Sequence, residues 1–371
     1  MPYCTFQGIQ LSRLGMGSMR LPVTGENGDT IDVAKARTII DQAIAGGINY
    51  FDTAYIYHNG QSESFLGQAL LSYPRDQYYL ADKFNLQADQ NYRRQFKTQL
   101  ERLKTDYIDF YLLHGVSDDS AQTFLDNGCI DYFRSLKKEG RIRYLGFSFH
   151  GKPETLEKMV TWEEWDFVQI QLNYYDWYYG TAKRQYEILC EHHLPIMVME
   201  PVHGGMLANI PEEARACLQT VAPSRQPAEW ALRFVAALPQ VNVVLSGMST
   251  TEQLSQNLCT FENLPPLSTA EKEAIQQACT IIHQSVSVPC TACRYCVNHC
   301  PQHLNIPELL QFYNEYHIGS KWRLGRLKAE DPAKLPGNCI ACGLCTKHCP
   351  QDIKVYQYLH EMDEDYHSLN P

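Results

Sequence analysis

The first two thirds of the chain alternate between two kinds of hydrophobic pattern. Short runs are apolar through almost their whole length, and longer stretches between them repeat apolar residues at helical spacing. The short runs are typical of strands buried on both faces of a parallel sheet, and the longer stretches are typical of amphipathic helices. The strand-like runs are residues 13–18, 48–54, 78–83, 107–114, 142–148, 166–173, 194–200 and 241–247.

The helix-like stretches lie between these runs, at residues 32–47, 63–73, 91–104, 181–193 and 226–238. The first of them ends at Gly46-Gly47, which is a helix stop signal. Strands separated by helices indicate βαβ units, and eight units in about 250 residues fit a closed (β/α)8 TIM barrel. An open doubly wound sheet is the alternative, but no Gly-x-Gly-x-x-Gly follows a predicted strand.

Polar side chains stand at the carboxyl ends of most of the predicted strands. They are Asp52, Lys83, His114, Ser148, Gln171 and Glu200. In a TIM barrel these strand ends form the active site. One such residue would be weak evidence, but their recurrence in successive strands predicts an active site at this end of the barrel.

The chain changes character after residue 262. Residues 263–288 contain Ser268 or Thr269 as a helix N-cap, with Glu271 or Glu273 in the first turn, so we expect a connecting helix. A second amphipathic helix is predicted at 306–316. The predicted domains are a barrel at 1–262, the connecting helix at 263–288 and a C-terminal domain at 289–371.

Eight of the fourteen cysteines fall in two copies of one motif, Cys-x₂-Cys-x₂-Cys-x₃-Cys-Pro. This is the bacterial ferredoxin pattern for [4Fe–4S] clusters, in which the fourth cysteine of each motif binds the other cluster. The expected ligand sets are Cys290, Cys293, Cys296 and Cys349 for one cluster, and Cys339, Cys342, Cys345 and Cys300 for the other. Zinc is the alternative, but its sites favour two pairs of ligands with a longer spacer. We therefore expect a helical ferredoxin-like domain.

Composition narrows the function classes. Hydrophobic residues make up 44% of the 371 positions and charged residues 20%, which is enough for a core. The net charge of −10 argues against nucleic-acid binding. No stretch approaches the roughly 18 apolar residues of a membrane span, and the N-terminal segment lacks a signal-peptide pattern. We expect a cytoplasmic protein without a membrane partner, in which clustered cysteines bind metal rather than form disulfides.

Seven segments of the barrel region occur in the order and spacing of a known family. They are "FDTAYIYHNGQSESFLGQAL", "LADKF", "YIDFYLLH", "YLGFSFH", "QIQLN", "MEPVHGGML" and "LSGMSTTEQLSQNL". Through them, residues 5–262 resemble the aldo-keto reductases. The resemblance implies a catalytic tetrad, which is Asp52, Tyr57, Lys83 and His114 in this chain.

The chemistry accounts for these residue types. Reduction of a carbonyl by hydride needs a proton for the developing alkoxide, and Tyr57 would donate it. A tyrosine has a pKa of about 10, and the nearby Lys83 cation is expected to lower it. Asp52 would hold the lysine in place, and His114 would hydrogen-bond the substrate oxygen. Each residue alone has an ordinary structural role as the alternative, but the four together favour catalysis.

The resemblance also implies a nicotinamide cofactor across the barrel mouth. The matching positions are Gly17, Ser18, Arg20, Ser148, Gln171, Met199, Gly247, Ser249, Gln253 and Asn257. Ser148 and Gln171 would bind the carboxamide, Arg20 would bind the pyrophosphate, and the last four positions would bind the adenosine part.

The chain departs from the family pattern at several of these positions. Phe149 replaces a residue that is usually polar, and Met199 replaces an aromatic residue that stacks on the nicotinamide. Gly247 and Gln253 stand where many members have a lysine and an arginine that clamp the 2′-phosphate. Other members lack both and still bind NADPH, so we expect NADPH, with NADH as the alternative.

The expected function is NADPH-dependent reduction of a small-molecule carbonyl substrate, or the reverse alcohol oxidation. The clusters would have a structural, sensing or electron-transfer role. The alternative is an electron-transfer reductase whose clusters deliver single electrons to a substrate or a flavodoxin-like partner. A third hypothesis is a binding module without turnover, but the presence of all four tetrad residues argues against it. The net basic segment 321–334 is expected to be a surface loop, with docking of an acidic electron carrier as the alternative.

Overall fold

A computed structural model gives the structure of the chain and describes residues 1–24, 30–285, 287–317, 327 and 332–369. These residues fall into two compact units. The first contains Met1–Pro201 and Glu229–Leu267, and the second contains Val202–Ala228 and Ser268–Pro371. The predicted boundaries at residues 262 and 288 treat each domain as one continuous stretch, and they stay a prediction.

The described residues of the first unit contain a closed barrel of parallel strands. The strands of this unit are β1 (Tyr3–Phe6), β2 (Ile9–Ser12), β3 (Leu14–Gly17), β4 (Val23–Thr24), β5 (Thr30–Ile31), β6 (Tyr50–Asp52), β7 (Tyr79–Phe84), β8 (Ile108–Val116), β9 (Ile142–Phe149), β10 (Phe167–Gln171), β11 (Ile196–Met199) and β12 (Val241–Ser246). The barrel closes in the order β3-β6-β7-β8-β9-β10-β11-β12. The predicted (β/α)8 TIM barrel is confirmed, and the open doubly wound sheet is excluded.

Fifteen α-helices occur in the described part of the chain. They are α1 (Val33–Ala45), α2 (Gln61–Leu70), α3 (Tyr92–Leu103), α4 (Ala121–Asp126), α5 (Cys129–Lys138), α6 (Pro153–Met159), α7 (Tyr174–Tyr179), α8 (Ala182–Glu191), α9 (Glu212–Gln219), α10 (Pro227–Ala236), α11 (Thr251–Glu262), α12 (Thr269–Ser285), α13 (Ile306–His317), α14 (Leu344–Lys347) and α15 (Val355–Leu369). The predicted barrel helices correspond to α1, α2, α3, α8 and α10. The helices that are not among the predicted stretches include α4, α5, α6, α7, α9, α14 and α15. Three of these, α4, α6 and α7, have only six or seven residues, which are too few to show a helical period.

A buried layer at the base of the barrel decides which residues face its interior. Phe6 and Leu11 of the β1–β2 hairpin pack there against Tyr50, Phe110 and Phe167. Side chains alternate between the two faces of a strand. Residues two or four positions after this layer, nearer the carboxyl end of each strand, therefore also face the barrel interior. These inward positions include Asp52, Lys83, His114, Ser148, Gln169, Gln171 and Met199.

The second unit joins two stretches that are distant in sequence. The helix α12 begins with a capping box, in which Ser268 N donates to Glu271 Oε2 at 2.7 Å and Glu271 N donates to Ser268 Oγ at 3.2 Å. The same Glu271 pairs with Arg225, whose Nη1 lies 2.6 Å from Oε1. The predicted connecting helix is therefore present, and it packs with the segment that contains α9.

The loop after residue 202 is built into the cysteine-rich part of the second unit. His203 is fully buried, and its Nε2 lies 3.3 Å from the carbonyl oxygen of Pro289. Gly204 has φ of 66°, and a Cβ atom there would overlap with the carbonyl oxygen of Thr291. Only glycine fits this contact without displacing the backbone.

Helices α13 and α15 form the core of the second unit. Leu309 and Tyr313 of α13 pack in one buried cluster with Val355, Leu359 and Met362 of α15. The predicted helical C-terminal domain is confirmed. Most of the basic segment 321–334 lies outside the described residues.

None of the helices in the described ranges is long and apolar enough to cross a membrane. The cytoplasmic location stays a prediction.

Candidate active site

The buried ammonium of Lys83 is the centre of the candidate site. Its Nζ donates to Asp52 Oδ1 at 2.6 Å and to the carbonyl oxygen of Thr53 at 2.6 Å. The same Nζ lies 3.5 Å from Tyr57 Oη. The lysine side chain is 0% exposed, so its charge depends on these partners. Three of the four predicted catalytic residues therefore meet at one cation.

Tyr57 opens a tight turn between β6 and α2. The three residues that follow it have left-handed backbone conformations, with φ of 50° at His58, 54° at Asn59 and 84° at Gly60. Such conformations are costly for residues with a Cβ atom, and they recur at functional sites as well as in ordinary turns. The Nε2 atom of His58 hydrogen-bonds the carbonyl oxygen of Ser18 at 3.1 Å, which fixes the turn.

His114 lies beside Tyr57 near the end of β8. The two rings meet edge to face with centroids 5.8 Å apart. Burial, and then the charges of Lys83 and His150, lower the pKa of His114 well below its usual value. Burial and Lys83 also lower the pKa of His150 to about 4. Both imidazoles are therefore neutral at neutral pH.

Sequence reasoning missed His150. It follows β9 directly and reaches the site because that strand ends beside β8. The signal was the histidine two positions after the predicted strand-end Ser148.

The expected lowering of the Tyr57 pKa is wrong for this structure. Burial, and then the charges of Asp52 and Glu200, raise the pKa of Tyr57 well above 10. The Lys83 ammonium, 3.5 Å from Tyr57 Oη, does not reverse this rise. Tyr57 is consequently protonated at neutral pH.

The two predicted carboxamide ligands have partners within the protein. Ser148 Oγ accepts from Gly115 N at 2.9 Å and lies 3.4 Å from the carbonyl oxygen of Leu113. Gln171 Nε2 donates to Asp176 Oδ2 at 2.7 Å. Gln171 is one layer nearer the mouth of the barrel than Ser148, since Ser148 pairs in register with Gln169.

Gln169 is a second residue that sequence reasoning missed. Its side chain is buried and donates through Nε2 to Met199 Sδ at 3.5 Å. Its Oε1 is buried without a hydrogen-bond partner among the described residues. An unpaired buried acceptor in the barrel interior suits a ligand that donates a hydrogen bond. The signal in the sequence was its two-residue spacing from Gln171.

The predicted adenosine and pyrophosphate positions meet at the start of α11. Ser249 Oγ donates to the carbonyl oxygen of Arg20 at 2.7 Å, and Ser249 N donates to Gln253 Oε1 at 2.7 Å. A Cβ atom at Gly247 would lie 3.0 Å from the Arg20 side chain. Asn257 is different, because its buried Nδ2 donates to Ser246 Oγ at 3.0 Å. The structure thus brings together Arg20, Gly247, Ser249 and Gln253.

The first loop carries two further features. Ser18, which follows Gly17, has a buried Oγ without a hydrogen-bond partner in the described part of the chain. Arg20 Nη2 lies 3.4 Å from Glu200 Oε1 at the barrel mouth. A hydroxyl without a partner and, two residues later, a cation that pairs with Glu200 are donors of the kind that bind an anionic group such as a pyrophosphate.

The aromatic residues after β10 pack against the protein. Tyr174 is fully buried and meets Phe234 with ring centroids 6.2 Å apart. Trp177 meets the same ring at 5.7 Å. These contacts show that both rings take part in the packing of this loop.

Four cysteines of the second unit line one small cavity that is partly open to solvent. Cys290, Cys293 and Cys296 come from the first motif, and Cys349 comes from the second. Burial, and then the other three thiols among its neighbours, raise the pKa of Cys296. Four thiols around a largely apolar cavity match the donor set of a [4Fe–4S] cluster, including the crossed fourth ligand.

These thiols surround a space and do not converge on one point. Among the described residues, no group of three or more His, Cys, Asp or Glu side chains is placed to hold a metal ion. A cubane is larger than one ion, and its ligands bind at separate corners. Four thiols that line one cavity are the donor set that such a cluster takes.

The second motif gathers its cysteines in a similar way. Burial, and then Cys339 and Cys342, raise the pKa of Cys345. The predicted fourth ligand, Cys300, is half-buried against the same core. Cys342 is the one exposed cysteine among the eight motif positions, all of which the structure describes.

Two histidines link the ends of the motifs. His299 and His348 stack with ring centroids 3.6 Å apart and planes inclined by 10°. Each directly precedes the fourth cysteine of its motif. The stack therefore places the carboxyl-terminal ends of the two cysteine motifs side by side.

Known proteins resemble both parts of the chain. The sequence model of the Aldo/keto reductase family matches residues 13–279, and that of a 4Fe-4S dicluster domain matches residues 289–353. An uncharacterised oxidoreductase of Bacillus subtilis, YqkF, is 30% identical over 312 residues, which cover 73% of this chain and 96% of that protein. The NADH-specific methylglyoxal reductase of Escherichia coli is 26% identical over 298 residues, which cover 67% and 90%.

A solved structure agrees with the barrel. The holo form of the aldo-keto reductase AKR11C1 from Bacillus halodurans superposes with a TM-score of 0.62 at 28% identity. The match covers 75% of this chain and 96% of that one.

Proposed function

Because the chain belongs to the aldo-keto reductase family of NAD(P)H-dependent oxidoreductases and carries a 4Fe-4S dicluster domain, we propose that it reduces a small-molecule carbonyl with NADPH. In this proposal Tyr57 donates the proton. The observation that carries it is the buried Lys83 ammonium, 2.6 Å from Asp52 Oδ1 and 3.5 Å from Tyr57 Oη.

The nicotinamide, when bound, supplies a hydride to the carbonyl carbon. Negative charge then develops on the carbonyl oxygen, and the Tyr57 phenol transfers its proton to that oxygen. The phenolate that remains lies beside the Lys83 ammonium, which stabilises it in a site of low dielectric. Asp52 holds the ammonium at this position.

Carbonyl reduction requires Tyr57 in its protonated form. Reduction starts from the protonated phenol, which is the form that burial and the nearby carboxylates stabilise. Alcohol oxidation starts from the phenolate, which the same groups disfavour. We propose that the protein reduces a carbonyl at neutral pH, with neutral His114 donating a hydrogen bond to the substrate oxygen.

The cofactor is proposed to lie across the barrel mouth. Ser148 and Gln169 would bind the carboxamide, and Gln169 lies one layer deeper in the barrel than Gln171. Met199 would pack against the nicotinamide ring. The remaining proposed contacts are Gly17, Ser18, Arg20, Gly247, Ser249, Gln253 and Asn257. Arg20 beside Gly247 would supply a cation for the pyrophosphate, which NADPH and NADH share, so NADPH is proposed from the family resemblance alone. The relative named NADH-specific supports the alternative, and the ratio of kcat/KM for the two cofactors decides between them.

The test of this proposal is Tyr57→Phe, measured as NADPH oxidation with a panel of small aldehydes and ketones that includes methylglyoxal. Loss of the proton donor is expected to lower kcat by about 10²- to 10⁴-fold. The matched control is Tyr55→Phe, which keeps the ring that packs on Arg102. If Tyr57→Phe reduces carbonyls as fast as Tyr55→Phe, Tyr57 is not the proton donor.

We also propose that the cysteine motifs hold two [4Fe–4S] clusters. One would bind Cys290, Cys293, Cys296 and Cys349, and the other Cys339, Cys342, Cys345 and Cys300. A cluster moves one electron at a time, whereas the nicotinamide moves two, and no flavin motif bridges them in the sequence. A structural or sensing role for the clusters is consistent with this mismatch.

The exposure of Cys342 favours a second candidate function, in which the clusters exchange electrons with a substrate or a flavodoxin-like protein. Anaerobic titration of the cluster-loaded protein with NADPH, followed by EPR, separates the two. If the clusters stay oxidised without a partner, direct transfer from nicotinamide is excluded. If substitution of motif cysteines abolishes carbonyl reduction as fully as Tyr57→Phe, the second function is supported.

A further inference from the structure

We infer that Asn85 is a positioning residue that holds the proton of neutral His114 on Nε2, the nitrogen needed to donate a hydrogen bond to the substrate oxygen. The inference rests on the proposed function, which gives His114 this role. It concerns a residue for which the sequence carries no signal beyond its place two positions after Lys83.

The backbone of Asn85 is held on both sides by one buried glutamine. Asn85 N donates to Gln95 Oε1 at 2.6 Å, and Gln95 Nε2 donates to the carbonyl oxygen of Asn85 at 3.0 Å. Gln95 lies on α3 and is fully buried. The loop that follows β7 is therefore fixed where it passes the active site.

The side-chain amide of Asn85 has only one satisfactory orientation. Its Oδ1 accepts from Ala88 N at 2.8 Å. The flipped amide would set its NH₂ group against that N–H, which is a contact between two donors. The NH₂ group is therefore the end that faces His114, and Nδ2 lies 3.4 Å from His114 Nδ1.

This contact selects one tautomer of the imidazole. An amide NH₂ can only donate, so Nδ1 of His114 must accept and carries no proton. A neutral imidazole with a bare Nδ1 holds its proton on Nε2.

The surroundings keep the ring neutral. The groups that face His114 are Lys83 on β7, His150 after β9 and Tyr57 on the turn after β6. The Lys83 cation repels a second positive charge, and burial removes the water that would stabilise one. The Nε2–H group is therefore a neutral donor. The other tautomer would present a lone pair to the developing negative oxygen.

The decisive variant is Asn85→Asp, which has nearly the same shape. Its carboxylate still accepts from Ala88 N but now also attracts a proton to His114 Nδ1. At alkaline pH the ring then presents a bare Nε2, and kcat is expected to fall about 100-fold, the size typical of losing one oxyanion donor. As the pH falls, the imidazolium regains a proton on Nε2, so the activity of the variant rises. The unaltered protein shows no such rise.

The matched control is Asn91→Asp, which introduces the same charge in the same loop. Asn91 is exposed and caps α3 by accepting from Arg94 N at 3.0 Å, and aspartate caps equally well. This variant is expected to keep the wild-type rate and pH profile. If Asn85→Asp behaves like Asn91→Asp, the inference is overturned.

A spectroscopic readout is independent of turnover and of the folding of any Asn85 variant. In the full-length protein labelled with [¹⁵N]histidine, the His114 signals are those lost in His114→Gln. We expect a protonated Nε2 and an unprotonated Nδ1. A protonated Nδ1 in the unaltered protein would refute the role of Asn85, whether or not carbonyl reduction is found. Failure of Tyr57→Phe to alter turnover would instead refute the proposed function and leave this result standing.

Discussion

Lys83 Nζ lies 2.6 Å from Asp52 Oδ1, and the two side chains are 0% and 5% exposed. The pair spans neighbouring strands of the barrel, since Asp52 ends β6 and Lys83 lies near the end of β7. A buried ion pair is costly to form, but removal of one partner leaves an uncompensated charge in the interior. Stability and the proposed chemistry therefore depend on the same contact.

Asp52→Asn tests this dependence. The neutral amide leaves the Lys83 ammonium without a counter-charge, so the free energy of unfolding is expected to fall by about 3–5 kcal/mol. Chemical denaturation measures it. The control is Asp41→Asn on α1, where the partners Arg37 and Asp41 are 35% and 40% exposed. Loss of such a surface pair should cost about 1 kcal/mol or less. Equal losses in the two variants would contradict the central role of the pair.

Asp82, which directly precedes Lys83, predicts a dependence of stability on pH. Burial, and then the charge of Glu63, raise the pKa of Asp82 well above its usual value. The folded protein therefore keeps a proton that the unfolded chain loses above about pH 4. The stability contributed by the protonated Asp82 carboxyl group is complete below that pH. It falls as the pH rises through the folded-state pKa, by about 1.4 kcal/mol per pH unit.

Asp82→Asn removes this titration with little change of shape. Its amide oxygen can still accept from Lys83 N, as Asp82 Oδ1 does at 2.8 Å. Measured by denaturation across a pH series, the variant should gain stability relative to the unaltered protein as the pH rises. The exposed Asp76→Asn is the control and should track the unaltered protein. A parallel curve for Asp82→Asn would show that the folded Asp82 is ionised throughout.

The two interior glutamines give a comparison within one strand. If Gln169 binds the nicotinamide carboxamide, Gln169→Leu should raise the KM for NADPH roughly tenfold, as expected for about 1.4 kcal/mol of lost hydrogen bonding. Gln171→Leu, which breaks the bond to Asp176, should raise it less. Steady-state kinetics decides, and the reverse order would assign the carboxamide to Gln171.

Cysteine substitutions test the crossed ligation. Cys349→Ser should remove the same cluster as Cys296→Ser, because both thiols line one cavity. Each variant should retain about half of the iron and lose the same EPR signal. The exposed Cys259→Ser serves as the control. If Cys349→Ser instead loses the signal that Cys345→Ser loses, the motifs bind their clusters without crossing.

The barrel and the strand-end residues were predictable because both follow from local pattern. Strands buried on both faces are apolar throughout, so a charged Lys83 or an imidazole at His114 stands out within them. Their meeting also follows, since parallel strands bring their carboxyl ends to one side of the sheet.

The depth of a residue inside the barrel was not predictable. Gln169 and Gln171 both face inward by the two-residue period of a strand. Which of them lies level with Ser148 depends on the stagger between β9 and β10, which is a property of the closed sheet. The tautomer of His114 was also not predictable from the sequence, because it depends on a contact made by the backbone N–H of Ala88.

The protonation of Tyr57 was also beyond sequence reasoning. A neighbouring lysine lowers a tyrosine pKa only where its effect exceeds that of burial and of nearby carboxylates, here Asp52 and Glu200. These are sums over a three-dimensional neighbourhood. The helix α12, by contrast, could be placed from its capping candidates, which were Ser268 or Thr269 with Glu271 or Glu273. The structure uses Ser268 and Glu271.

The overlap that any side chain at Gly204 would make with Thr291 limits how this protein can be rearranged by recombination. A gene fusion that transplants residues 289–371 onto another barrel would leave behind the 202–228 segment that belongs to the same compact unit. The transferable module is therefore discontinuous in the gene. A working chimera must bring its own copy of that loop, with glycine at the position that meets the first cysteine motif.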